Sequence, residues 1–177
     1  RRVLFRSEAP PALVGRLIPE SAILADAVAG EIANPSEQRF SAEASSEGLW
    51  KPYSSHKNGT TGVFFLEPYD PERIPVLFVH GIGGYPAQFN SLIESLDAER
   101  YQAWFLNYPS GFRLKTLGNG LYYLLEGLHR RLGFEKLHMV AHSMGGLVSR
   151  WALGVCSEQD SCAYLQTFTS IASPFAG

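Results

Sequence analysis

Ser143 stands in Ala141-His142-Ser143-Met144-Gly145-Gly146, directly after the apolar run Leu137–Ala141 and at the start of a helical pattern that spans Met144 to Val155. A serine hydroxyl is a poor nucleophile, so one that reacts needs a base within reach and a position clear of its own backbone. A sharp strand-to-helix turn supplies that clearance. In such a turn the residues two before and two after the serine crowd together, and both must be small, as Ala141 and Gly145 are. The turn also sets Ser143 at a helix N-terminus, where backbone N–H groups and the helix dipole favour a developing negative charge. The spacing is that of Gly-x-Ser-x-Gly, with Ala141 in place of the first glycine. A serine that merely caps the helix would need no companion segment upstream.

A companion segment is present. His80-Gly81-Ile82-Gly83-Gly84 follows the apolar run Val76-Leu77-Phe78-Val79. Acyl transfer generates an oxyanion, and each backbone donor aimed at it can be worth ~3 kcal/mol. The expected donors are the N–H of Met144, next to the serine, and the N–H of Ile82. Gly81 and Gly83 would let that loop approach a substrate closely and adopt positive φ, while His80 would brace it. A phosphate cradle is the rival reading of the loop, but the lysine and the spacing of a P-loop are missing.

The elements that must hold these two segments alternate regularly. Val76–Val79, Ala103–Leu106, Leu137–Ala141 and Leu165–Ile171 read as strands; Pro86–Leu96, Leu117–Leu132 and Met144–Val155 read as helices, with Gly133 ending the second. Strands apolar on both faces, separated by helices, imply an α/β fold with a parallel sheet flanked by helices on both faces. Right-handed crossovers then bring the strand C-termini to one edge, where chemistry gathers in such sheets. Both glycine-rich segments fall there. Upstream, Gly62–Glu67 reads as a further strand, Ile18–Ile32 as a helix between Pro19 and Pro35, and Gln38–Gly48 as a polar linker. Asn58-Gly59-Thr60 has the form of a glycosylation sequon, a triplet common by chance.

The pair His80-Gly81-Ile82-Gly83-Gly84 and Ala141-His142-Ser143-Met144-Gly145-Gly146 resembles the motifs of small bacterial lipases and related α/β hydrolases. Ser170-Ile171-Ala172-Ser173-Pro174 is similar to the strand and Ser/Thr-Pro turn that follow in those enzymes, so the likeness runs from about Ile74 to Gly177. The resemblance implies a partial α/β-hydrolase fold and an acyl-enzyme on Ser143. It also implies a small-molecule or lipid ester substrate, and a triad completed by an acid and then a histidine. The sequence departs from the pattern, because no histidine follows His142 and Asp160 is the only Asp after Ser143. His142 is tied to the serine by the backbone and faces away from where a base must sit. His129 reads as solvated, His138 as a core strand residue, His56 as a loop residue and Asp160 as a surface residue. The acid and base are therefore expected beyond Gly177, and residues 1–177 alone are expected not to turn over esters. Thioesterase, amidase and acyltransferase activities, or a non-catalytic binding protein on the same fold, remain open. Tyr85, Phe89, Tyr108, Phe112 and Phe175 either line an apolar pocket or serve as core and rim.

Composition sets the outer bounds. The 177 residues, 45% hydrophobic and 18% charged, suit one globular domain. A net charge of -2 gives no general pull toward nucleic acid. No apolar run approaches the ~20 residues of a membrane helix, so the chain reads as soluble, with membrane contact open. Arg1–Ser7 lacks an initiating Met and resembles a translated sequencing adapter. The expected divisions are this scar at 1–7, an N-terminal extension at 8–60, and the N-terminal half of a hydrolase domain at 61–177, with both ends cut. Cys156 and Cys162 are close enough in sequence for a disulfide, which would lean toward an exported protein, or could be two free thiols. No cofactor is implied, and no second Cys or His pair suggests a metal.

Overall fold

A computed structural model describes residues 27–176. Six strands form one sheet: β1 (Val28–Ile32), β2 (Gly62–Phe65), β3 (Ile74–Val79), β4 (Tyr101–Asn107), β5 (Leu137–His142) and β6 (Leu165–Ile171), in the order β1-β2-β4-β3-β5-β6. The helices are α1 (Ala42–Trp50), α2 (Pro52–Ser55), α3 (Asn90–Glu94), α4 (Leu114–Leu132) and α5 (Met144–Glu158). β3 pairs parallel with β4 and β5, and β5 parallel with β6. The all-parallel expectation needs one correction, since β2 runs antiparallel to β4. The link from β2 to β3, rich in proline and turn residues, is too short for the crossover that a parallel strand requires.

Alternation along the strands divides the core between the two faces. Leu77, Val79, Trp104 and Leu106 meet the leucine stripe of α4, where Leu121, Leu125 and Leu128 are at most 2% exposed. Each such leucine contributes about 2 kcal/mol of burial. α5 packs beside α4 on this face through Val148 and Ala152. On the opposite face Phe40 packs edge-on against Phe64 and Phe105, and Phe89 covers Phe78. Gly133 ends α4 in the left-handed conformation at φ 69, its N–H donating to His129 O at 2.8 Å.

The upstream third departs from the sequence reading. Of the helix expected over Ile18–Ile32, residues 18–26 lie outside the described residues, as does the Arg1–Ser7 segment; Val28–Ile32 is strand β1, parallel to β2. Tertiary pairing overrides a short helical spacing here. Gly30 at φ 77 lies where the register shifts between Ala29 and Glu31. The linker expected over Gln38–Gly48 is a short 3-10 turn followed by α1. Ser41 caps α1 by accepting the Ala44 N–H at 3.3 Å, and Ala42, Glu43, Ala44 and Glu47 are helix formers. Phe40, 1% exposed, anchors the turn before it. The polar composition hid a helix.

Because β1 and β2 are parallel, residues 33–60 form a crossover. It leaves Ile32, beside Phe65, and returns to Gly62, which pairs with Asn107 at the C-terminal end of β4. The crossover therefore carries α1 toward the edge where β3, β4 and β5 end. Elsewhere, Cys156 and Cys162 are joined as a disulfide with Cα atoms 5.6 Å apart. Most side chains of β6 are exposed. Among the described residues, no helix is long and apolar enough to cross a membrane.

Candidate active site

The strand–turn–helix expected around residue 143 is present, β5 ending at His142 and α5 beginning at Met144. Ser143 sits between them at φ 52 and ψ -124, a conformation L-residues rarely adopt. Such a conformation costs of order 1–3 kcal/mol and persists only where the surroundings fix it. Ser143 N–H donates to Ile171 O at 2.9 Å, and Gly146 N–H donates to Ser143 O at 3.0 Å. Ala141 is fully buried. At Gly145 the need for a small residue comes from the neighbouring strand: a Cβ there would lie 2.4 Å from both Val79 O and His80 O. Ser143 itself is half-buried, and His142 is exposed.

The glycine-rich loop after β3 touches this turn directly. A Cβ on Gly81 would stand 2.9 Å from Ser143 Cβ and 3.2 Å from His142 O. His80, 1% exposed, braces the loop from inside. Its Nδ1 lies 2.9 Å from Gly81 O, its Nε2 accepts the Tyr108 N–H at 3.4 Å, and its ring stacks on Tyr108 at 4.2 Å. This pattern requires the neutral tautomer protonated on Nδ1. Burial lowers the imidazole pKa to about 4, keeping it uncharged. Tyr108 donates its hydroxyl to His80 O, and burial raises the phenol well above its ordinary pKa.

Two amides of the loop are committed. Gly83 N–H, at φ 60, donates to Ser110 Oγ at 3.0 Å, and Gly84 N–H donates to Gly81 O at 3.0 Å. Ile82 lies between the bracing His80 and these committed peptides, with its side chain 59% exposed. Met144 is the first residue of α5, so its N–H has no acceptor within the helix.

The other residues singled out from the sequence divide cleanly. Phe89 and Tyr108 are buried core, not pocket lining; Phe112 is half-buried against Tyr53, Tyr85 is half-buried, and Phe175 is exposed. His129 is not solvated, since its Nδ1 lies 2.9 Å from Phe134 O and its ring meets Tyr164. His138 is half-buried rather than core, with Nδ1 2.7 Å from Thr167 Oγ1. His56 is buried near Phe112 instead of lying in an open loop, and Asp160 is exposed as expected. No group of acidic, His and Cys side chains among the described residues could hold a metal ion. The sequence reading missed Ser110 and Ser45; Ser45 Oγ donates to Gly84 O. A lone serine in a polar stretch gives no signal of such a contact.

The mixed sheet with its helices on both faces is that of the α/β-hydrolase fold. The chain belongs to the alpha/beta hydrolase fold family, whose model matches residues 74–165, just over half its length. Over 94 residues it is 32% identical to a putative esterase/lipase of Mycoplasma pneumoniae (strain ATCC 29342 / M129 / Subtype 1), a match covering 51% of this chain and 35% of that protein. The lipase BlEst2 of Bacillus licheniformis, in its mature form, superposes with a TM-score of 0.51 at 22% identity, covering 63% of this chain and 46% of the lipase. That second likeness bears on the fold alone. The chain thus spans about a third of the putative esterase and just under half of the lipase.

Proposed function

We propose that the whole protein is a serine ester hydrolase working through an acyl-enzyme on Ser143. The observation that carries this reading is the positive-φ serine between β5 and α5 with the Gly81 loop packed against it. Ser143 Oγ adds to the ester carbonyl carbon and passes its proton to a base. The carbonyl oxygen becomes an oxyanion, which takes hydrogen bonds from Met144 and Ile82 N–H, the donors left uncommitted by the hydrogen bonding of the loop. Collapse expels the alcohol, which takes the proton from the base. Water, activated by the same base, then frees the acid and restores Ser143.

The base is a histidine beyond residue 177, as the resemblance to lipases implies: His80, His129 and His138 already hold other partners, His56 packs near Phe112, and His142 is tied by the backbone next to Ser143, facing away from where a base must sit. Residues 1–177 alone are accordingly inactive. The exposed apolar side chains of Ile82 and of Ile171, whose carbonyl holds the Ser143 amide, suit esters with apolar acyl groups. The putative esterase/lipase relative points the same way.

The test uses the full-length protein. It should hydrolyse p-nitrophenyl acyl esters and react with a fluorophosphonate at Ser143, and Ser143→Ala should abolish both. Labelling that survives Ser143→Ala refutes the assignment of the nucleophile. Turnover of thioesters or amides in preference to esters moves the protein to another acyl-transfer class. Serine-dependent turnover by residues 1–177 alone refutes the placement of the base.

A further inference from the structure

The β1–β2 crossover touches the active-site edge at a specific point. Ser45, in the first half of α1, donates its hydroxyl to Gly84 O, the last residue of the glycine-rich loop. Three residues on, Gly48 packs on the turn after β4. A Cβ on Gly48 would lie 3.2 Å from Pro109 Cα, a Cβ on Gly111 would lie 2.1 Å from Leu49 O, and Gly111 N–H donates to Gly48 O at 3.3 Å. Two glycines thus let a helix and a turn meet backbone to backbone. The crossover closes behind them, Asn107 Nδ2 donating to Thr60 O at 2.7 Å. The polar cavity left between α1, Thr60 and Pro109 measures only about 10 Å³. The same turn supplies Ser110, which holds the Gly83 amide.

We propose that the crossover is part of the catalytic apparatus, with Ser45 a positioning residue that fixes the loop carrying the Ile82 donor. The inference rests on the esterase reading above. Its physical basis is that three glycines in the five residues from His80 to Gly84 leave the loop with little rigidity of its own. An oxyanion donor acts only when preorganised at hydrogen-bond distance, and a misplacement of ~1 Å can cost on the order of a hundredfold in rate. His80 and Tyr108 clamp the loop before Ile82. Ser110 and Ser45 clamp it after Ile82, and of these four only Ser45 comes from outside the β3–β4 region.

The experiment compares full-length wild type with Ser45→Ala, Ser45→Thr and Ser95→Ala. Ser95, whose hydroxyl donates to Leu92 O at the exposed end of α3, controls for the loss of any serine. Ser45→Ala should lower kcat for a p-nitrophenyl ester about tenfold, part of the effect of a misplaced donor, with KM within about twofold. Ser45→Thr, which keeps the hydroxyl, should recover most of that loss, and Ser95→Ala should match wild type. Hydrogen exchange of the peptide spanning residues 80–86 should be faster in Ser45→Ala by about tenfold, and this readout needs no activity. If wild type labels at Ser143 and Ser45→Ala keeps wild-type kcat, the inference is wrong. Equal losses in Ser45→Ala and Ser45→Thr also overturn it, because the hydroxyl would then not be what matters. Should wild type itself neither label nor hydrolyse, the esterase reading fails by itself, and unchanged exchange in Ser45→Ala would separately overturn the clamp.

Discussion

Gly145→Ala should cripple Ser143, and its cost can be worked from the contact that forbids it. The new Cβ would lie 2.4 Å from Val79 O and from His80 O, whereas ordinary contacts begin near 3.4 Å. Both acceptors are backbone atoms of the β3 terminus, which is held by β4 and β5 on either side. Relief therefore requires the first turn of α5 to retreat by about 1 Å. Overpacking of this kind costs about 1–3 kcal/mol. For a domain of this size each kcal/mol lowers Tm by about 2–4 °C. The retreat also carries Met144 N–H and Ser143 Oγ out of register with the Gly81 loop, and ~1 Å there is worth on the order of a hundredfold in rate. Gly154→Ala on the same helix is the matched control, since nothing lies within 4 Å of a Cβ at that position. Replacing that glycine should stabilise the helix by about 0.5–1 kcal/mol. Thermal melting and the rate of fluorophosphonate labelling of the full-length protein read both effects. A Gly145→Ala protein that melts and labels like wild type would show that the elbow does not depend on this close approach.

Three further outcomes follow from named contacts. His80 is neutral when folded, with a pKa of about 4 against about 6.5 unfolded, so the unfolded chain takes up a proton first as pH falls. Stability is intact above pH 6.5 and declines toward pH 4; urea titrations should show a loss of about 2 kcal/mol by pH 5, and His80→Gln should flatten that slope. Reducing Cys156–Cys162, or replacing both by serine, releases a loop of sequence separation 6 and should cost about 2 kcal/mol, read as a fall in Tm. Gly111→Ala drives a Cβ to 2.1 Å from Leu49 O and should push α1 off the turn after β4. A loss of about 1–3 kcal/mol should accompany slower acylation; full activity would detach α1 from the site.

The sequence made legible what is determined locally. β3 and β4 are buried on both faces and so read as continuous apolar runs. α4 carries its leucines at helical spacing and ends on a left-handed glycine. What the sequence hid is determined by partners distant in the chain. β1 reads as helical because its residues are spaced like a helix, yet it exists as a strand through β2. α1 lacks an apolar stripe and buries only Gly48, so its polar sequence reads as linker. The antiparallel course of β2 follows from the length of a connection, not from the residues in the strand. The sequence leaves Tyr108 open between pocket lining and core; it is core, and its ring and hydroxyl serve His80.

The candidate site combines both kinds of information, and this explains why its core was readable while its support was not. The strained turn at Ser143 leaves a trace at fixed spacing in Ala141 and Gly145, even though what crowds Gly145 is the end of β3, at Val79 O and His80 O. The loop opposite needs glycines because Gly81 has no room for a Cβ beside Ser143, a partner distant in the chain, and Gly83 is held at positive φ. On the proposed mechanism, those glycines remove the rigidity that an oxyanion donor requires. The deficit is met by Ser45, which donates to Gly84 O, and Ser110, which accepts the Gly83 N–H, and neither occupies a spacing that its neighbours dictate. A motif thus records where the chemistry needs freedom of backbone, and the restoring contacts come from whichever elements the topology brings near. In this fold the parallel course of β1 beside β2 forces a crossover toward the strand C-termini, and that crossover brings α1 into reach of the loop.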